Sequence, residues 1–296
     1  MRISKLFSKP KNQSQIGLCF RQQSLACCNV LENGDINFNE LPALDKNYSP
    51  ALKSLTKELA LSGHCHLVLS SEQSQIVQIE KPNIPENELK AALKWQVKDL
   101  VSIDPSDMIL DYFDAPHSAI GTEKLHVVCA AKSELASYVE QLTDDGLSVE
   151  SITIEEFAFA SLVPASDDAC LVVCQQPNEE IILLIVKQNI LYFYRRLRGL
   201  ANIASKSEDE LMMNVVDSLS LEIQRSTDYY ERQLKQAPIR SIEVLVPMDN
   251  EAFLARKLAE NTHVPVNLLT LPDVIAQDRQ CSACYGATKL QHMEDV

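Results

Sequence analysis

Short apolar runs and amphipathic stretches alternate from the start of this chain. Residues 16–20, 24–31 and 35–39 are strand-length and apolar, and the polar turn Arg21–Gln22–Gln23–Ser24 separates the first two, so 16–30 predicts a β-hairpin opening a meander. A helix is expected over 50–62, with Pro50 in its first turn, leading to a strand at 66–70. A second unit follows: a strand at 75–80, a helix over 84–101, strands at 108–113 and 125–131, and a helix over 133–146 ending at Gly146. In the 84–101 helix, Leu89, Leu93, Val97 and Leu100 fall on one face.

A third segment repeats the opening pattern, with strands at 170–174, 180–186 and 190–196, a weak internal duplication. The longest helix is expected over about 207–236, burying Met212, Val215, Val216, Leu219, Ile223, Tyr230 and Leu234. Strands at 241–246 and 264–269 flank a helix at 250–261, and a last helix is expected at about 281–291. The pattern predicts an α/β chain of two lobes, each opening with a meander, and an αβ unit inserted in the first.

Composition narrows the function. The formal charge of −14 argues against a nucleic-acid-binding body. The first eleven residues are the exception, carrying Arg2, Lys5, Lys9 and Lys11 and no acid. They read as a disordered start or as a weak docking arm for a membrane surface or acidic partner. No transmembrane segment is expected, since the strongly apolar run 181–186 is far short of the roughly 20 residues a span needs. Cys19, Cys129, Cys170 and Cys174 lie in apolar runs and read as small core residues of a reducing compartment. Cys281 and Cys284 form a lone C-x-x-C without the second ligand pair of a zinc site. His64 and His66 flank Cys65, and Asp104, Asp107 and Asp111 have ligand-like spacing, but turn and capping chemistry suits the aspartates better.

The stretch "IPENELKAALKWQVKDLVSIDPSDMILDYFD" (84–114) resembles the inserted subdomain of the PilM family of type IV pilus assembly proteins, through Leu89, Ala92, Trp95, Asp104, Asp107, Asp111 and Tyr112. "SYVEQLTDDGLSVESITIEEFAFASL" (137–162) and "SLEIQRSTDYYERQ" (220–233) are similar to later family segments. The likeness covers most of the chain, in order, and extends to GspL-type secretion proteins. By length and scarcity of glycine it looks closest to the branch serving MSHA-type pili.

The resemblance implies an actin-like (ribonuclease H-like) two-lobe fold. Its parts would be a basic arm at 1–14, a first lobe at 15–71 and 149–165, the inserted αβ subdomain at 72–148, and a second lobe at 166–296 with a C-terminal helix. It also implies a cytoplasmic position under the inner membrane and a partner, the tail of a bitopic inner-membrane pilus-assembly protein. The assembly ATPase and a homodimer are further implied contacts. Trp95 is expected in the core beneath the insert, with a partner-groove wall as the alternative, and Asp104 and Asp107 would border that groove, expected between the first lobe and the insert.

Nucleotide-binding members of the fold hold phosphates on two glycine-rich hairpins and a glycine-rich adenosine loop. Here the first hairpin keeps Gly17 but carries Cys19 and Arg21, and the second reads Cys174–Gln175–Gln176–Pro177. The third loop contains Pro247. Proline has no N–H to offer, and the chain has only seven glycines. Two classes compete: a scaffold that kept the fold and lost the ligand, with no catalytic residue, cofactor or metal, and an actin-like nucleotide-binding ATPase with atypical loops. On the first reading the Arg21 turn merely joins two strands.

Overall fold

The computed structural model describes residues 14–116 and 122–290. The basic arm expected at 1–14 thus lies, all but its last residue, outside the described residues. In the first lobe, β1 (Ser14–Phe20), β2 (Ser24–Val30) and β3 (Ile36–Pro42) form the meander, and α1 (Ser49–Glu58) leads to β4 (Gly63–Leu69). The inserted unit comprises β5 (Ser74–Glu80), α2 (Glu86–Val97), β6 (Met108–Asp114) and β7 (Lys124–Ala131). The chain returns through α3 (Lys132–Asp144), β8 (Ser148–Ile154) and α4 (Glu155–Ala160).

The second lobe repeats the plan with β9 (Cys170–Cys174), β10 (Ile181–Lys187) and β11 (Ile190–Leu197). Next come α5 (Glu208–Glu210), a π-helical turn at Leu211–Val215, α6 (Val216–Asp228) and a second π-helical turn at Tyr229–Gln233. Then β12 (Ser241–Leu245), α7 (Glu251–Glu260), β13 (Val266–Leu268) and α8 (Ser282–Ala287) follow.

The internal duplication is explicit in the sheets. Their orders are β3-β2-β1-β4-β8 and β11-β10-β9-β12-β13, each with an antiparallel meander followed by parallel strands. The insert carries its own antiparallel sheet, β5-β7-β6, and α2 covers one face through Leu89, Leu93 and Val97. One apolar cluster crosses the lobe junction, joining Cys19, Ala26 and Val68 to Val172, Cys174 and Leu184, with α4 and α8 between them.

Four expectations need correction. The range 72–148 assigned to the insert takes in α3, but Leu135, Tyr138 and Leu142 of α3 pack with α1 in the first-lobe core. Trp95 is not core: it is 69% exposed on the outer side of α2, with the Lys98 ammonium over its ring. Leu100 is also exposed, because α2 ends at Val97 and the chain turns before it. Met212 is exposed, since the π-helical turn directs Leu211 and Val215 inward in its place.

Candidate functional site

The site where this fold could hold a ligand is the cleft between the β1–β2 hairpin, the β9–β10 hairpin and the loop after β12. In this chain it is filled by side chains. A tight turn from Arg21 to Ser24, closed by a 2.9 Å backbone bond, presents the Arg21 side chain toward the second lobe. Arg21 is 1% exposed. Its Nε donates to Gln176 Oε1 at 2.9 Å, one Nη donates to the Gln280 carbonyl at 2.5 Å, and the other lies 3.0 Å from Glu40. Its carbonyl accepts from the Tyr48 hydroxyl at 2.6 Å, which in turn accepts from Gln73. The reading of this turn as a plain strand connection is therefore corrected: it spans the cleft.

The contacts continue inward. Gln176 donates to Glu155, and the backbone N–H of Gln22 donates to Glu179. The Arg196 guanidinium bridges two consecutive buried carboxylates at the start of α4, reaching Glu155 at 2.5 Å and Glu156 at 2.8 Å. Burial pushes the Glu156 carboxyl up despite Arg196. Burial, and then the Glu155 charge, raise Glu179 to about 7. Two guanidinium groups thus serve several carboxylates, and the N–H of Gln22, which a phosphate hairpin would direct at its anion, is spent on Glu179.

The remaining loops are occupied in the same way. Gln175 donates to the carbonyls of Glu179 at 2.6 Å and Leu200 at 3.0 Å. After β12, the Val246 N–H donates to Glu251 at 2.7 Å. Arg279 holds Glu251 at 2.6 Å and donates to the carbonyls of Leu269 and Val244 at 3.0 Å each. Pro247 sits in that loop without a donor of its own. Gly17 has a packing role: a Cβ there would lie 1.9 Å from the Cys284 carbonyl oxygen, so glycine admits the backbone of α8 against β1.

The other singled-out residues have local partners. Asp104 accepts from the Ser106 N–H at 2.7 Å and hydroxyl at 2.6 Å, and those bonds hold its carboxyl below the usual range. Asp107 accepts from the N–H and hydroxyl of Ser133 at the start of α3, at 2.8 and 2.6 Å. Asp111 pairs with Lys90 at 3.0 Å. His66 lies between Ser151 and Gln15, and His64 against Glu150. Cys19, Cys174, Cys281 and Cys284 are buried in the junction cluster. Among the described residues no group of three or more His, Cys, Asp or Glu is placed to hold a metal, and no helix is long and apolar enough to cross a membrane.

Sequence reasoning missed a groove of about 790 Å³ between the insert and the second lobe. Tyr192, Phe193 and Tyr194, three consecutive residues of β11, line it with His126, Tyr229 and Glu80. A bulge at Tyr192 turns both Tyr192 and Phe193 toward the second-lobe core while Tyr194 faces the junction cluster, so a groove touching all three spans both faces of the strand. Among the described residues the outer edge of β11 has no further strand beside it, since β11 is the outermost strand of its sheet and pairs with β10. His126 stacks on Phe113 at 4.9 Å and meets Tyr194 edge-on at 5.3 Å, and burial, aided by Lys124, lowers its pKa to about 4. The aromatic run 192–194 was the available signal, but only the sheet order shows that its strand is an edge.

No protein-family model matches the chain, and no curated protein matches it by sequence. Solved structures do match. A chain of the PilM–PilN type IV pilus biogenesis complex is similar at a TM-score of 0.68 and 15% identity, covering 93% of this chain and 97% of that one. The cytoplasmic domain of EpsL, an inner membrane component of the type II secretion system of Vibrio cholerae, is similar at 0.51 and 11% identity, covering 84% and 94%. A Bacteroides thetaiotaomicron protein with an actin-like ATPase fold and unknown function is similar at 0.52 and 11% identity, covering 90% and 95%. At these identities the likeness concerns the fold, and the chain has the actin-like two-lobe fold that these structures share.

Proposed function

We propose that this protein is a non-catalytic scaffold of the inner-membrane assembly platform of an MSHA-type (type IV) pilus, an MshI-like pseudo-ATPase on the cytoplasmic side. The observation that carries this reading is the cleft occupied by Arg21, Gln176, Glu155 and Arg196. A polyphosphate would have to displace two committed guanidinium groups and sit among buried carboxylates, with the hairpin N–H of Gln22 already engaged. The fold-level likeness to a protein solved in the PilM–PilN complex supports the choice of system.

On this reading the partner is the cytoplasmic tail of a bitopic pilus-assembly protein. Such tails are enriched in Lys and Arg, and this chain is acidic overall. The groove beside β11 suits an extended tail: the open edge offers backbone hydrogen bonds, Phe193 and Tyr194 receive apolar anchors, and Glu80 meets basic residues. Asp104 and Asp107 are engaged in a turn and a helix start, so they contribute less to the tail than the aromatic edge does.

Two measurements test the reading. Titration calorimetry with millimolar Mg-ATP is expected to give no saturable site, and a low-micromolar dissociation constant would restore the ATPase alternative. Pull-down of the cognate tail is expected to fail with Phe193→Ala/Tyr194→Ala and to persist with Asp104→Asn, with thermal melts verifying that both variants fold. Undiminished capture by the aromatic variant would move the tail off β11.

A further inference from the structure

A second groove, of about 640 Å³, lies on the other stretch of the second lobe's edge. Arg195, Arg196 and Leu197 at the end of β11 form one wall, the turn from Arg198 to Leu200 another, and Asn214, Ser218 and Leu221 of the long helix a third. Its charge is opposite to that of the molecule. Arg195, Arg196, Arg198 and Lys206 line it against a single acid, Glu222, in a chain of net charge −14.

Some of that positive charge is already matched. Arg195 pairs with Glu222 at 2.9 Å, and Arg196 is held by Glu155 and Glu156. Arg198 and Lys206 form no ion pair among the described residues. Two apolar side chains are exposed near them: Leu221 is 47% exposed within the groove, and Met213, outside its lining on the π-helical turn of the same helix, is 80% exposed. Methionine adapts to irregular partner surfaces, and π-helical turns recur at functional sites.

We infer that this groove docks a segment of a partner protein that carries carboxylates around an apolar anchor. The carboxylates meet Arg198 and Lys206, and the anchor covers Leu221. A small anion would use the two cations but leave Leu221 uncovered, so the combination favours a peptide segment. The surface differs from the aromatic groove in the residues that carry the inference, since Arg198, Lys206 and Leu221 line only this one. Its failure would leave the tail site standing, and the reverse.

The test is fluorescence anisotropy on the full chain with three labelled synthetic peptides. One places Glu and Leu at helical spacing, a second replaces every Glu by Gln, and a third replaces every Leu by Ser. The first is expected to bind in a salt-sensitive way, and the other two about tenfold or more weaker. Arg198→Glu/Lys206→Glu is expected to weaken the first peptide by about tenfold or more, and Leu221→Ser several-fold, both with unchanged melting. Phe193→Ala/Tyr194→Ala is expected to leave this binding intact. Equal binding by the charge-reversed variant or by the Gln peptide would overturn the inference. Displacement by inorganic triphosphate with no dependence on Leu221 would make the groove a small-anion site. A change in sedimentation on charge reversal without peptide would make its occupant a second copy of the chain.

Discussion

Arg21 and Arg196 are both guanidinium groups set between the lobes, but removing each leaves something different behind. Arg196 faces Glu155 and Glu156, at 1% and 0% side-chain exposure. Arg196→Met therefore strands two buried carboxylates, and the expected loss is about 3–5 kcal/mol by urea unfolding. Arg21 faces Glu40, which is 32% exposed and can hydrate once released. Arg21→Met is expected to cost about 1–3 kcal/mol, chiefly from hydrogen bonds to Gln176 and the Gln280 carbonyl. An equal loss for the two variants would mean that burial of the carboxylates is not the deciding term. Glu179 gives a pH signature. Its folded pKa, about 7, lies above the ordinary 4.5, so between these values the folded chain retains a proton that the unfolded chain releases. Stability from this residue is present below that window and lost as pH rises through it. Glu179→Gln keeps an oxygen acceptor for the Gln22 N–H, and is expected to gain stability over wild type at about pH 8 but not at about pH 4; a pH-independent difference in melting would contradict the assignment.

At the scale of elements, α8 is held by close backbone approach. The Cβ of an alanine at position 17 would sit 1.9 Å from the Cys284 carbonyl oxygen, and one at position 286 would sit 2.0 Å from that of Ala158. Backbone cannot swing aside as a flexible side chain does, so Gly17→Ala is expected to shift α8 and destabilise by about 1–3 kcal/mol. Denaturant unfolding measures this, and an unchanged midpoint would show that α8 is loosely held. Gly17 is visible in the sequence but the reason for it is not, because phosphate hairpins and close helix packing call for the same residue. The meanders, the insert and the helix over 84–101 were legible because strand alternation and helical spacing are properties of neighbouring residues. The packing of α3 was not: its apolar face is the same whether it covers the insert or α1.

For the whole molecule, the cluster running from Cys19 and Val68 through α4 and α8 to Val172 and Leu184 makes the two lobes share one core. The Arg21–Gln176 bond, between residues 155 apart in sequence, adds a polar tie across the same junction. The described chain is therefore expected to unfold in one transition, with calorimetric and van't Hoff enthalpies in agreement. Two resolved transitions would show lobes that melt separately.

The sequence by itself determined the alternation of strands and helices, the repeated meander, the inserted unit and the scarcity of loop glycine. Each of these is written in the period of nearby residues or in what a single residue type permits. Only the tertiary structure decided what Arg21 does, where Trp95 points, and that β11 is, among the described residues, the edge strand of its sheet, lined by an aromatic groove along one stretch and a basic groove along the next. Those outcomes depend on groups far apart along the chain. A buried charge takes whichever partner the fold brings within hydrogen-bond distance, and a strand becomes an edge only when no other strand lies beside it.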